Sequence, residues 1–166
     1  MAACSDFSDE RNKWLRSDDN ELIKQCVFDE YQASGPGGQK RNRKYSAVRL
    51  KHLPTGIEVR SAESRSQKQN RGSALKKLRE LIAIEVRSGL SPDLDSLVIG
   101  LNNVRYPLFL AKLFDELHSC EFRISEVAEN LGVSTGKLVK LMARDSHVWQ
   151  IVNSERKRRG IGPLKQ

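Results

Sequence analysis

Ser34-Gly35-Pro36-Gly37-Gly38-Gln39 is the stretch whose residue types could do chemistry, and Lys40-Arg41-Asn42-Arg43-Lys44 comes directly after it. Three glycines and a proline in so short a run exclude helix and central strand, and predict an exposed loop able to approach a partner closely. Gln39 presents an amide that both donates and accepts hydrogen bonds. An amide does not titrate, so the loop holds no general base near neutral pH. Any catalysis must be positional and electrostatic, with a partner supplying the rest. Four cations in the next five residues describe that partner as phosphate-bearing. Taken alone, a Gly-Gly-Gln beside a charge run also suits a surface turn with solvated cations. The usual parts of a free-standing hydrolase are missing: there is no G-x-S-x-G elbow, no Cys–His pairing by spacing and no H-E-x-x-H helix.

The flanking elements must position this loop. Cys26 to Gln32 alternates, with Val27, Asp29 and Tyr31 opposite Cys26, Phe28 and Glu30, and predicts a strand that fixes where the loop starts. Ser46 to Leu53 sets Val48, Leu50 and His52 against Ala47, Arg49 and Lys51, and Ile57 to Ser61 alternates likewise. Leu53-Pro54-Thr55-Gly56 between them predicts a type I turn closed by a left-handed Gly. His52 is expected as a half-buried or surface strand residue, since no acid–nucleophile set accompanies it. Arg49, Lys51 and Arg60 on the exposed face would meet phosphate or simply be solvated. Ser64 or Ser66 is the predicted cap of the longest helix, running to about Arg87 with Gly89 as its stop. Ala74, Leu75, Leu78, Ile82 and Val86 form its apolar stripe, opposite Arg71, Lys76, Lys77 and Arg79. Upstream, Asp6 to Arg16 frays or forms a short helix bearing Trp14 and Leu15. Ser17 is the predicted cap of another helix, ending near Gln25. The class is α+β: a small antiparallel sheet with a packed helix and an exposed loop.

Leu90 to Asn103 marks a boundary, and the rest reads as helical. Tyr106 to His118 is one helix. Ile124 to Thr135 and then Lys137 to Arg144 resemble a helix-turn-helix, with Ala128 allowing close approach and Gly132 taking the turn. Val148 to Lys157, with Trp149, is the last helix before Arg156-Lys157-Arg158-Arg159-Gly160. The expected organisation is residues 17–89, a helical module over 104–159 and a tail over 160–166. Ser134, Thr135, Lys137, Lys140 and Arg144 would be the module's contacting face, although a bundle that only packs and spaces satisfies the same pattern.

The net charge of +8 is unevenly spread. Residues 1–30 carry −4, whereas 40–89 hold fourteen Lys/Arg against four Asp/Glu, a net +10. Residues 90–154 carry −2 and the last twelve +4. A surface tuned only for solubility would intersperse its signs, so the basic block beside the loop reads as a nucleic-acid footprint. No apolar run approaches membrane-span length, and the acidic start of the chain opposes secretory and mitochondrial leaders. Cys4, Cys26 and Cys120 are scattered, which predicts free thiols in a reducing cytoplasm and no metal site. No cofactor is expected, no membrane partner, and a monomer.

Ser34 to Gln39, Asn42, Ser46-Ala47-Val48-Arg49-Leu50, His52-Leu53-Pro54-Thr55-Gly56-Ile57, Arg65-Ser66-Gln67 and Asn70 occur in order. Together they resemble the peptidyl-tRNA hydrolysis domain of class I peptide chain release factors and their codon-independent ribosome-rescue relatives, from about Leu22 to Val86. The resemblance implies that the loop enters the peptidyl-transferase centre of the large ribosomal subunit, where rRNA and peptidyl-tRNA are its partners. Gly37 and Gly38 would shape the loop, and the Gln39 backbone N–H would stabilise the oxyanion formed as water attacks the ester. Ser34, Gly35, Pro36 and Asn42 would support them. Expected RNA contacts are Lys40, Arg41, Arg43, Lys44, Arg49, Arg65, Gln67, Arg71, Lys76 and Lys77, with Arg156, Lys157, Arg158 and Arg159 beyond. Lys40 stands where relatives often have His, and nothing here resembles the stop-codon-reading domain. The reading is codon-independent hydrolysis of peptidyl-tRNA on stalled ribosomes or separated large subunits, the helical module touching tRNA or the small subunit. Its rivals are a catalytically idle ribosome-binding module and a helix-turn-helix DNA-binding protein.

Overall fold

A computed structural model describes residues 10–31, 46–94 and 96–165, so the loop over 34–39 and the stem residues Lys40, Arg41, Asn42, Arg43 and Lys44 lie outside the described residues. The chain divides into two units, residues 1–90 and 91–166.

Unit one runs α1 (Glu10–Arg16), α2 (Asp19–Lys24), β1 (Cys26–Tyr31), β2 (Ala47–His52), β3 (Glu58–Ser61) and α3 (Gln67–Glu85). The strands form one antiparallel sheet in the order β1-β2-β3. Its central strand is the most buried: Ala47, Val48, Leu50 and His52 are all covered. Ala74, Leu75, Leu78 and Ile82 of α3 are buried, as the apolar stripe predicts, and α3 packs on β2 and β3. The β2–β3 turn closes as expected, with Gly56 at φ +72° and its N–H donating to His52 O at 2.8 Å.

Three local expectations are corrected. Asp18 caps α2 rather than Ser17, because its carboxylate accepts from both Asn20 N (2.7 Å) and Glu21 N (2.9 Å), while the Ser17 hydroxyl donates back to Trp14 O. Helix α3 stops at Glu85 and not near Gly89. Val86 turns extended, and the Arg87 guanidinium donates to the Ala83 and Ile84 carbonyls that a C-terminal glycine would otherwise help satisfy. Arg11 of α1 is fully buried, donating to Val86 O at 3.1 Å, so α1 is locked to the chain just after α3.

His52 is the third correction: it has no exposed surface at all. Its Nδ1 lies 2.9 Å from Thr55 Oγ1, and Trp14 meets its ring edge-on at 4.8 Å between centroids. Burial pushes the imidazole pKa down to about 4, so the folded protein holds it neutral. A histidine whose folded pKa lies below its unfolded value gives stability present above about pH 6.5 and lost as pH falls toward 4. The urea midpoint should therefore drop between pH 7 and pH 5, and His52→Leu should show a smaller drop. An equal drop in both proteins would assign the pH dependence to other groups.

Unit two contains four helices among the described residues: α4 (Tyr106–Ser119), α5 (Ile124–Asn130), α6 (Thr135–Ala143) and α7 (Ser146–Arg158). Leu113, Phe114 and Leu117 of α4 are buried, as are Val127 of α5, Leu138 and Met142 of α6 and Val152 of α7. The α5–α6 turn is the one its Gly predicts. Gly132 sits at φ +65°, and Val133 N donates to Ala128 O at 2.9 Å. Ser134 caps α6, and Asp145 caps α7 while accepting from the Tyr106 hydroxyl at 2.7 Å. On α7 the core positions are Val148 and Val152, and Trp149 is only half-buried. Among the described residues no helix is long and apolar enough to cross a membrane.

Candidate nucleic-acid interface

The loop segment connects β1 to β2, so its two ends are neighbouring strands of one sheet. Tyr31 and Ala47 are register partners, and Gly38 falls seven residues after Tyr31 and eight before Ser46. The base is held from α3. Asn70 is fully buried, and its Nδ2 donates to Ser46 O at 2.6 Å and to Ser64 O at 2.8 Å. Its Oδ1 accepts from Ser64 N at 2.8 Å. One side chain thus ties the first described residue after the loop to the β3–α3 connection and to the first turn of α3. Ser66 caps that turn, accepting from Gln69 N.

Six of the expected RNA contacts of unit one lie among the described residues: Arg49, Arg65, Gln67, Arg71, Lys76 and Lys77. Arg65, Arg71 and Lys76 are exposed, and Gln67 and Lys77 are partly so. The Arg71 guanidinium lies over the Phe28 ring at 5.8 Å, which orients it across β1. Lys77 pairs with Glu63, and Arg49 with Asp29 on the neighbouring strand. Both pairs are largely exposed, and such pairs contribute only about 0–1 kcal/mol, so phosphate can displace either carboxylate. Arg79 is different. Its side chain is mostly covered, pairing with Asp19 at 2.6 Å and donating to Ser17 O at 2.8 Å, so it holds α2 to α3.

The basic run of unit two is partly spent on its own fold. Arg156 donates to Phe122 O at 2.6 Å and to Gly162 O at 2.9 Å, and burial draws its pKa below the ordinary guanidinium value. Arg159 lies over the Phe122 ring at 4.4 Å and pairs with Glu155, to which Arg158 also donates at 2.7 Å. The hydrogen bond from Arg159, with the positive charges beside it, holds the Glu155 carboxyl below its usual range. Lys157 is exposed. What the two arginines clamp is a turn in which Glu121 and Phe122 both take positive φ, +50° and +61°. Non-glycine residues adopt this conformation only when surroundings hold it. Residues 161–164 turn back along α7, where Leu164 N donates to Asn153 Oδ1 at 2.7 Å.

Sequence reasoning assigned no job to Asn70 or Phe122. Asn70 was visible only as one member of a motif, because its partner at Ser46 lies 24 residues away. Phe122 carried no glycine signal at all.

The site has counterparts elsewhere. Residues 20–91 match the RF-1 domain. Over 65 residues the chain is 49% identical to Peptide chain release factor 1 of Bifidobacterium longum, covering 37% of this chain and 18% of that protein. It is 45% identical over 69 residues to Peptide chain release factor 2 of Kineococcus radiotolerans, covering 42% and 19%. With Peptide chain release factor 2 of Corynebacterium diphtheriae it shares 45% over 74 residues, covering 45% and 20%. The chain spans about a fifth of the length of these curated relatives, and residues 92–166 lie beyond the matched domain.

Proposed function

From the membership of residues 20–91 in the class I release factor family, through their RF-1 domain, we propose that this chain hydrolyses the peptidyl-tRNA ester in the peptidyl-transferase centre. Water attacks the ester carbonyl, the Gln39 backbone N–H receives the developing oxyanion, and the terminal ribose of tRNA leaves as its alcohol. Gly37 and Gly38 give Gln39 its backbone geometry. The observation that carries the reading is the match at 45–49% identity to named release factors, in a domain range that includes the intact Gly37-Gly38-Gln39.

Codon-independent action is the finer part of the proposal. Beyond the RF-1 domain the chain continues as the helical unit two, and selection of stalled ribosomes or separated large subunits falls to that unit. The test is release of peptide from three substrates: ribosomes on truncated mRNA, ribosomes on long mRNA with a sense codon, and isolated large subunits carrying peptidyl-tRNA. Release from the first or third without a stop codon is expected. Release only with a stop codon in the A site would overturn the codon-independent reading, and none anywhere would favour the idle binding module. Ending the chain at Asn103 should keep hydrolysis at high protein concentration and lose the ranking among the three.

The basic stem predicts how binding depends on salt. Charge reversal at Arg41 and Lys44, or at Lys76 and Lys77, should weaken ribosome binding and reduce the slope of log Kd against log salt by about 1–2. An unchanged slope would make these cations a solvated face.

A further inference from the structure

Unit two is bipolar in a way that its net charge conceals. Residues 115–130 carry five acids against Arg123, whereas residues 134–144 carry Lys137, Lys140 and Arg144 and no acid. These three cations are exposed, and Lys140 and Arg144 line an open groove of about 530 Å³ that Lys165 completes from the folded-back tail. Among the described residues none of the four has an ion-pair partner. The adjacent acid, Asp145, is occupied as the cap of α7 and by the Tyr106 hydroxyl. The groove floor is small: Gly136 occupies the first turn of α6, with open space where a Cβ would stand and no positive φ to require a glycine. An exposed helical Gly costs about 1 kcal/mol relative to Ala, and what it gives here is close approach to the backbone of α6.

We propose that this groove grips the phosphate backbone of duplex RNA, independently of sequence. From Lys137 to Arg144 the cations extend about 10 Å along α6 at 1.5 Å per residue, far enough to face more than one phosphate of a strand. The groove offers no aromatic ring on which unpaired bases could stack and no Asn or Gln to read base edges, so it suits backbone contact and not single-strand or base recognition. The choice of RNA over DNA rests on the ribosomal reading of unit one.

The probe is a fluorescein-labelled 14-bp RNA duplex, titrated with the full chain over 50–200 mM salt. The Lys140→Glu/Arg144→Glu/Lys165→Glu variant should bind at least tenfold more weakly, with the salt slope reduced by about 2–3. Lys140→Gln/Arg144→Gln/Lys165→Gln, which adds no repulsion, should lose the same slope with a smaller loss of affinity. Wild-type affinity and slope in both variants would overturn the proposal, as would tighter wild-type binding to a DNA duplex of the same sequence. No ester is present in this measurement. A failed groove therefore leaves the hydrolysis reading standing, and an inactive loop leaves the groove measurable.

Discussion

Gly38→Ala is expected to lower peptide release from ribosome-bound peptidyl-tRNA by about 10²–10³-fold, the loss seen when one oxyanion donor is displaced. A side chain at position 38 narrows the torsions open to the residue just before Gln39 and fills space beside the reacting ester. Gln39→Ala keeps the backbone donor but removes the amide that orients water, and release should again fall steeply. Stability should hardly move, because the described strand register and the packing of α3 are built from residues 26–31, 47–61 and 67–85. The two readouts separate chemistry from folding: single-turnover release on purified ribosome complexes, and urea unfolding of the free protein. Wild-type release by Gly38→Ala would refute the mechanism. Unfolding at lower urea together with lost release would point to a structural role for the loop.

The reading of the loop rests on residue types, Gly-Gly-Gln ahead of four cations, at positions outside the described residues. The strands were legible because period-two alternation maps directly onto two faces of a sheet. His52 was misplaced for the same reason. Alternation put it on the apolar face, but a polar residue there was read as half-exposed, and its partner Thr55 and the ring of Trp14 appear only in the fold. The end of α3 was misread because Gly89 is a familiar stop, whereas a side chain, Arg87, satisfies the last carbonyls. Arg156 and Arg159 were expected as RNA contacts. Three residues apart on α7, they share one helical face, and that face meets Phe122. Charge runs in a sequence announce cations but do not say which of them the fold has already used.

Asn70 is where fold and proposed site meet, and its substitution should give the largest loss of stability. Asn70→Ala leaves two carbonyls, Ser46 O and Ser64 O, and the Ser64 N–H without their partner. Each unmet buried group costs about 1–3 kcal/mol, less where water enters the space, so a total of about 2–4 kcal/mol is expected. In a unit of this size that lowers Tm by about 10–25 °C. Asn70→Asp is the sharper test. It keeps the shape and the acceptor for Ser64 N, but it loses both donated hydrogen bonds and places a carboxylate against two carbonyl oxygens. The introduced carboxyl is stabilised in its protonated form, so its folded pKa rises above the unfolded value near 4. The variant should then be most damaged at neutral pH and recover partly as pH falls toward 4, where a protonated carboxyl can donate one hydrogen bond again. This is the opposite direction to the acid destabilisation expected from His52. Release should suffer beyond the fraction unfolded, because Ser46 is where the chain re-enters the sheet after the loop. A kcat reduced at a temperature where circular dichroism shows the variant fully folded is the expected sign. Full kcat under those conditions would confine Asn70 to stability, and a urea midpoint equal to wild type in Asn70→Asp would remove it from the base of the loop altogether.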